Sequence, residues 1–380
     1  MTESIAILGA TGSVGKQALD VCRHLNIRVT ALSAGSDITT LEEQIREFRP
    51  SLCAVANEEA ARALSVRIAD LPTKILGGKE AVERLAAEAE GDTVLNAVSG
   101  IAGLRPTLAT LKANKTLALA NKESLVTFGT FVMAEAKRRG LSVLPVDSEH
   151  SAIFQCLTKQ PIKRLILTAS GGPFFGKTRE ELAAITPADA LAHPTWNMGS
   201  RITIDSATMM NKGFEVIEAA HLFGLPIERV EVTVHRESII HSMVEYIDSA
   251  VIAQLSRPDM RLCVQYALTY PERVAGPVPS LDFTALSGLH FAPPDLDNFP
   301  LLPLAYRAFR AGGVAPAMMN GADEEAVALF LKGKLTFPQL FDTVIAVTED
   351  APRISEPTLA DIEEADAEAR RRVRALAVPS

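Results

Sequence analysis

Asp147-Ser148-Glu149 sets two carboxylates two residues apart with no neighbouring base, and a hard divalent cation offsets their repulsion best, which points to Mg²⁺ or Mn²⁺. The same triplet also serves as an ordinary helix N-cap. Downstream, Asp205-Ser-Ala-Thr-Met-Met-Asn-Lys-Gly-Phe-Glu215 places Asn211, Lys212 and Glu215 on one helical face at i, i+1 and i+4. Such a face suits a phosphate held by Ser206, Asn211 and Lys212, with Glu215 as a third oxygen ligand to the metal. Its plainer reading is a Lys212–Glu215 pair on a solvated helix. Thr168-Ala-Ser170-Gly-Gly-Pro173 presents a hydroxyl and backbone N–H groups in a small turn, as a phosphate nest does. Trp196 and Met198 stand in a polar stretch, where bulky side chains suit a lid over substrate and nicotinamide. His193 shares that stretch, whereas His241 sits on an apolar strand and reads more simply as a core histidine.

Gly9-Ala-Thr-Gly-Ser-Val-Gly15 follows the first apolar run and opens a helix, the context a dinucleotide fingerprint needs. Gly9 permits the tight turn, Gly12 the approach of a pyrophosphate and Gly15 close helix packing. A plain glycine-rich turn is the alternative. Ala34-Gly35-Ser36-Asp37 falls where adenosine ribose is read; an acid favours NAD and a hydroxyl NADP, so these residues leave the choice open.

The elements that position these groups follow from periodicity. From Ile5 to Asp147 short apolar runs (Ile5–Leu8, Val29–Leu32, Leu52–Ala56, Lys74–Leu76, Val94–Val98, Thr116–Ala120, Ser142–Val146) alternate with amphipathic stretches. That pattern predicts a doubly wound, Rossmann-like α/β dinucleotide domain over residues 1–147. A central α+β catalytic domain over 148–275 has strands at Arg164–Thr168, Arg229–Val234 and Ala250–Leu255, a helix over Lys212–Phe223 and a flexible flap near 190–201. A proline-rich linker spans 276–303, and a C-terminal helical bundle spans 304–380, with helices at Leu304–Ala311, Asp323–Leu331, Phe337–Glu349 and Leu359–Ala377.

A net charge of −8 excludes the concentrated basic surface that nucleic acid or an anionic membrane requires. The run Arg370, Arg371, Arg372, Arg374 lies beside Glu363, Glu364 and Glu368, as on a solvated helix face. Cys22, Cys53, Cys156 and Cys263 form no CxxC pair, so a reducing compartment and no zinc site are expected. With no targeting segment and no run of roughly 18 apolar residues, the expectation is a cytoplasmic protein.

Taken in order, Gly9–Gly15, Ala120-Asn-Lys-Glu-Ser124, Pro145-Val-Asp-Ser-Glu-His-Ser151, Thr168–Phe174, His193–Met198, Asp205–Glu215 and His241-Ser-Met-Val-Glu-Tyr246 closely resemble the 1-deoxy-D-xylulose 5-phosphate reductoisomerase family of the non-mevalonate isoprenoid pathway. The resemblance covers nearly the whole chain. It implies a homodimer using NADPH and Mg²⁺ or Mn²⁺, with Co²⁺ also admitted, on a small sugar-phosphate substrate. It implies metal binding by Asp147, Glu149 and Glu215, and a phosphate grip by Ser170, Ser206, Asn211 and Lys212. Lys122 and Ser148 would contact the reacting oxygens, so that Lys122, Glu149 and His193 form the catalytic set. His193, Trp196 and Met198 would belong to the flap. Thr11, Gly12, Ser13, Val14, Gly35, Ser36, Asp37, Asn121, Glu123, Met198 and Gly199 would line NADPH. The chain departs from the family at Ser36-Asp37, where Lys-Asn is usual, and at Arg236-Glu237, where a less charged pair is usual. Two other readings compete: a phosphate-linked aldehyde dehydrogenase using Cys156, and a non-catalytic NADP-sensing module.

Overall fold

The structure is a computed structural model and describes residues 2–192 and 199–377. Its contacts divide the chain into two units: Met1–Ser124, Thr130–Ser151 and Asp259–Pro279 form one, and Leu125–Gly129, Ala152–Pro258 and Ser280–Ser380 the other.

The first unit is built on parallel strands β1 (Ser4–Leu8), β2 (Arg28–Ala34), β3 (Leu52–Val55), β4 (Lys74–Gly77), β5 (Thr93–Asn96), β6 (Thr116–Leu119) and β7 (Val143–Pro145). They lie in the order β4-β3-β2-β1-β5-β6-β7. Strands covered by helices on both faces read as unbroken apolar runs, and Ile5, Ala6, Ile7 and Leu8 are fully buried. All seven runs expected from the sequence form strands. The chain moves outward from β1 to β4, then returns to add β5 on the other side of β1. The carboxyl ends of β1 and β5 are therefore the topological switch point, where open sheets take their ligands.

A helix over Met260–Thr269, which local periodicity does not announce, also packs in this unit. It falls inside the 148–275 range read as the central domain. Its attachments come from far along the chain: Arg261 Nη1 lies 2.8 Å from Asp20 Oδ2, and the Thr2 amide donates to the Leu268 carbonyl at 2.8 Å.

In the second unit, β8 (Ile162–Ala169) runs parallel to β9 (Val230–Val234) and antiparallel to β10 (Ile240–Tyr246). The latter forms a hairpin with β11 (Val251–Leu255), giving the order β11-β10-β8-β9. Helices Ser200–Ala207 and Met210–Phe223 follow, then Leu301–Ala311, Ala315–Leu331, Phe337–Glu349 and Leu359–Leu376. The first C-terminal helix starts at Leu301 rather than Leu304, because Pro303 sits in its first turn, where a missing N–H loses no helical bond. The second starts at Ala315 rather than Asp323, because Ala315 to Asp323 are buried all round and show no amphipathic period. Phe174 and Phe337 meet edge to face with centroids 5.3 Å apart, and Phe330 and Phe341 complete the aromatic cluster.

The basic run is paired as its spacing suggests: Arg371 with Glu364 and Glu368, Arg372 with Glu368 and Asp350. Arg370 instead turns inward onto Glu324 and Asp366. Among the described residues no helix is long and apolar enough to cross a membrane.

Candidate functional site

β1 ends at Leu8 and the chain turns through Gly9–Gly15 into the helix Ser13–Leu25. Gly9 has φ +78°, and a Cβ there would meet the Ala97 carbonyl oxygen at 2.6 Å. At Gly15 a Cβ would meet the Gly9 oxygen at 2.3 Å, so both positions require glycine. Ser33 on β2 anchors the turn, its hydroxyl accepting from Gly9 N at 3.0 Å and its carbonyl from Ala10 N at 2.8 Å. Gly12 is the N-cap and offers no side-chain acceptor, which leaves the first-turn N–H groups, at the positive end of the helix, to a bound anion. The turn thus fits a pyrophosphate. Space is open around Gly35. Asp37, expected at the ribose, caps the helix Ile38–Phe48 by accepting from Thr40 N at 3.1 Å. Thr40 holds its carboxyl below the usual range.

Asn121, Lys122 and Glu123 leave the carboxyl end of β6. Asn121 Nδ2 donates to the Val98 and Gly100 carbonyls at 2.8 and 2.9 Å, and its Oδ1 accepts from the Ser124 amide at 3.0 Å. Glu123 accepts from Gly100 N at 3.0 Å and from Asn121 at 2.7 Å. These two side chains, expected to line the cofactor, therefore hold the Val98–Gly100 loop beside β5. Lys122 donates to Asp147 Oδ2 just beyond β7, and both residues are buried.

Asp147 does two things at once. Oδ1 caps the helix Ser148–Cys156, accepting from Glu149 N at 3.1 Å and His150 N at 3.3 Å, while Oδ2 faces Lys122. The N-cap and ligand readings of this triplet are thus compatible. Burial pushes the Asp147 carboxyl up, but Lys122 and His150 outweigh it and hold it well below the usual carboxylate range. His150 Nδ1 lies 2.9 Å from Asp147 Oδ1. The Ser148 hydroxyl donates to Glu149.

In the second unit β8 runs into the Ser170-Gly171-Gly172 turn. Gly171 and Gly172 have φ +76° and +66°, and a Cβ on Gly172 would meet the Ser206 carbonyl at 2.7 Å. Ser206 closes the helix Ser200–Ala207, so the serine turn is seated directly on it. Met209, at φ +64°, swings the chain into the helix Met210–Phe223, whose first turns carry Asn211, Lys212 and Glu215. Asn211 Nδ2 donates to Glu215 Oε1 at 2.7 Å and Lys212 donates to Oε2. Glu215 is fully buried and Lys212 nearly so, which removes the solvated-pair reading.

Family models described as 1-deoxy-D-xylulose 5-phosphate reductoisomerase match residues 5–129, with its C-terminal domain models matching 143–223 and 255–372. A reductoisomerase of Geobacillus kaustophilus is 53% identical over 98% of this chain and 99% of its own length. The chain belongs to the 1-deoxy-D-xylulose 5-phosphate reductoisomerase family. A reductoisomerase of Caldanaerobacter subterraneus is 50% identical over 98% of both chains. Among solved structures, a reductoisomerase in complex with NADPH, fosmidomycin and magnesium superimposes with a TM-score of 0.95 at 39% identity, covering 99% of this chain and 98% of the other. The Zymomonas mobilis reductoisomerase with NADPH gives 0.93 at 39% identity over all of both chains.

Within the reductoisomerase fold, residues expected in the flap divide. His193, Trp196 and Met198 lie outside the described residues, and Gly199 is the N-cap of Ser200–Ala207. His241 is buried on β10, where its carbonyl accepts from Thr168 at 2.7 Å. Cys156 is 5% exposed, too enclosed for the nucleophile of the aldehyde dehydrogenase reading. Two residues went unremarked in the sequence. His150 stands at i+3 from Asp147 on the same helix, a spacing that flags it, whereas Asp323, described below, carries no local signal.

Proposed function

We propose that this chain is an NADPH- and divalent-metal-dependent reductoisomerase converting 1-deoxy-D-xylulose 5-phosphate to 2-C-methyl-D-erythritol 4-phosphate. The observation that carries the reading is that the glycine turn, Lys122 and Asp147-Ser148-Glu149 leave the carboxyl ends of β1, β6 and β7 on one edge of one sheet. Relatives crystallised with NADPH, fosmidomycin and magnesium support it.

Asp147, Glu149 and Glu215 offer only carboxylate oxygens, the donor set a hard divalent cation takes, and Mg²⁺, Mn²⁺ or Co²⁺ fits it. When bound, the cation supplies Lewis acidity to the substrate's carbonyl and adjacent hydroxyl. Thr11, Gly12, Ser13, Val14, Gly35 and Ser36 would hold NADPH, which would supply the hydride. Lys122 stabilises negative charge developing on the substrate oxygen, and Ser148 hydrogen-bonds the neighbouring hydroxyl. Ser170, Ser206, Asn211 and Lys212 grip the phosphate; this binding, remote from the reacting carbons, orients them. His193, Trp196, Met198 and Gly199 form the flap that excludes water. Asn121 and Glu123 act on the cofactor by shaping the Val98–Gly100 loop. The enzyme works in the cytoplasm as a homodimer; its four cysteines are free and buried, as suits a reducing compartment.

The test follows NADPH absorbance with 1-deoxy-D-xylulose 5-phosphate. Oxidation is expected with Mg²⁺, none in EDTA, and recovery on adding metal back. Glu149→Gln should lower kcat by roughly 100-fold, the scale of one lost electrostatic contact to the transition state. Full activity of that variant at saturating Mg²⁺ removes the metal assignment.

A further inference from the structure

Behind the phosphate cluster, where the helix Ser200–Ala207 meets the helix Ala315–Leu331, two carboxyl groups face each other away from water. Asp323 is fully buried and Asp205 is 4% exposed. Their side chains are in hydrogen-bonding contact, yet neither oxygen of Asp323 receives a bond from any N–H or O–H donor among the described residues. The nearest cation, Arg201, stands closer to Glu324 than to either member of the pair. Its Nη1 lies 2.9 Å from Glu324, while Nη2 stays 3.8 Å from Asp323 and Nε 3.6 Å from Asp205. Among the described residues, further charges near the pair come from Glu324 on the Asp323 helix and from Asp366 and Arg370 on the helix Leu359–Leu376. Arg370 bonds both Glu324 and Asp366, and Asn320 donates to Asp366 at 2.8 Å. Among the described residues, two guanidinium groups and four carboxyls thus share this region. Two carboxylates in a dry contact cannot both be ionised, and a hydrogen bond between them needs a proton.

We propose that Asp323 is a positioning residue for the substrate phosphate: a carboxylic acid that donates its proton to Asp205 and thereby fixes the end of the Ser200–Ala207 helix, and with it Ser206, against the C-terminal bundle. The inference rests on the phosphate role proposed for Ser206. The seating of Gly172 on the Ser206 carbonyl makes the consequence direct, since a shift of this helix end displaces the Ser170 turn as well. Burial first, then Asp205, raises the Asp323 carboxyl well above the carboxylate range, and Arg201 offsets this only in part.

The sign of the linkage follows. The folded chain keeps a proton that the unfolded chain releases near the ordinary Asp value, so Asp323 withdraws stability as pH rises from that value toward its folded one. Asp323→Asn keeps a donor for Asp205 without the proton. Its Tm, in EDTA and without substrate, should therefore exceed that of the parent, by a gap that widens from about pH 5 to 8. Its KM for substrate should stay close to the parent's. Asp323→Leu removes the Asp323 donor, and should raise KM for 1-deoxy-D-xylulose 5-phosphate by about tenfold while leaving KM for NADPH unchanged; Asp323→Ala replaces it if the leucine variant does not fold. A constant or negative Tm gap for the asparagine variant, or a folded leucine variant with unaltered substrate KM, overturns the proposal. A parent chain that oxidises no NADPH with this substrate refutes the proposed function instead, and the Tm gap still decides the shared proton.

Discussion

Asn121 has two N–H donors and two lone pairs, and the fold uses all of them inside the protein, on Val98, Gly100, Ser124 and Glu123. Under the proposed function, a side chain so engaged acts on the cofactor through the loop it holds. Asn121→Leu strands several buried polar groups and should lower unfolding free energy by about 3 kcal/mol, read from the urea midpoint. A direct cofactor contact makes the opposite forecast, weaker NADPH binding at unchanged stability, and that result would remove the positioning role. Asp37 shows the same economy, since the one acid near the expected ribose site is already an N-cap. Asp147 differs in having one oxygen on its own helix and the other on Lys122, so it is both a structural cap and the partner of Lys122.

The helix Met210–Phe223 carries Asn211, Lys212 and Glu215 on its first turns and a half-buried histidine on its last. His221 stands edge-on to Phe309 with centroids 5.2 Å apart, and a Cβ on Gly129 would come within 2.3 Å of its ring. Burial pushes its pKa down to about 4. The folded chain therefore holds it neutral while the unfolded chain takes up a proton near 6.5, so stability is intact above that pH and falls as pH drops toward 4. The loss attributable to this group is about 3 kcal/mol at the acid end. His221→Phe should flatten the stability curve across that window in guanidinium titrations; an unchanged slope would place the acid sensitivity elsewhere. Helix ends nearby follow plainer rules. Thr336 with Gln339 and Thr358 with Asp361 form capping boxes, which fix where the last two bundle helices begin.

At the scale of the whole molecule, the four-stranded sheet ends in β11, an edge strand with Val251 and Ile252 exposed and Ile247 exposed in the turn before it. Exposed apolar edges invite pairing with another chain, and a second copy is the occupant a homodimer supplies. If the proposed homodimer forms through this edge, Ile252→Lys should shift it toward monomer by light scattering, with NADPH oxidation assayed in parallel. A parent that already runs as a monomer would discard the homodimer.

What the sequence determined by itself was what short range encodes. Unbroken apolar runs specified the parallel strands, glycine spacing the dinucleotide turn, and i, i+1, i+4 spacing the face of Asn211, Lys212 and Glu215, because adjacent residues share one helix or strand geometry. The tertiary structure alone decided which polar groups lost water and which distant partner each then met. It turned Asn121 and Glu123 inward, put Met260–Thr269 with the dinucleotide sheet through Asp20 and Thr2, and set Asp323 against Asp205. Burial sets the energy of a polar group, and no local pattern states which segments will exclude water together.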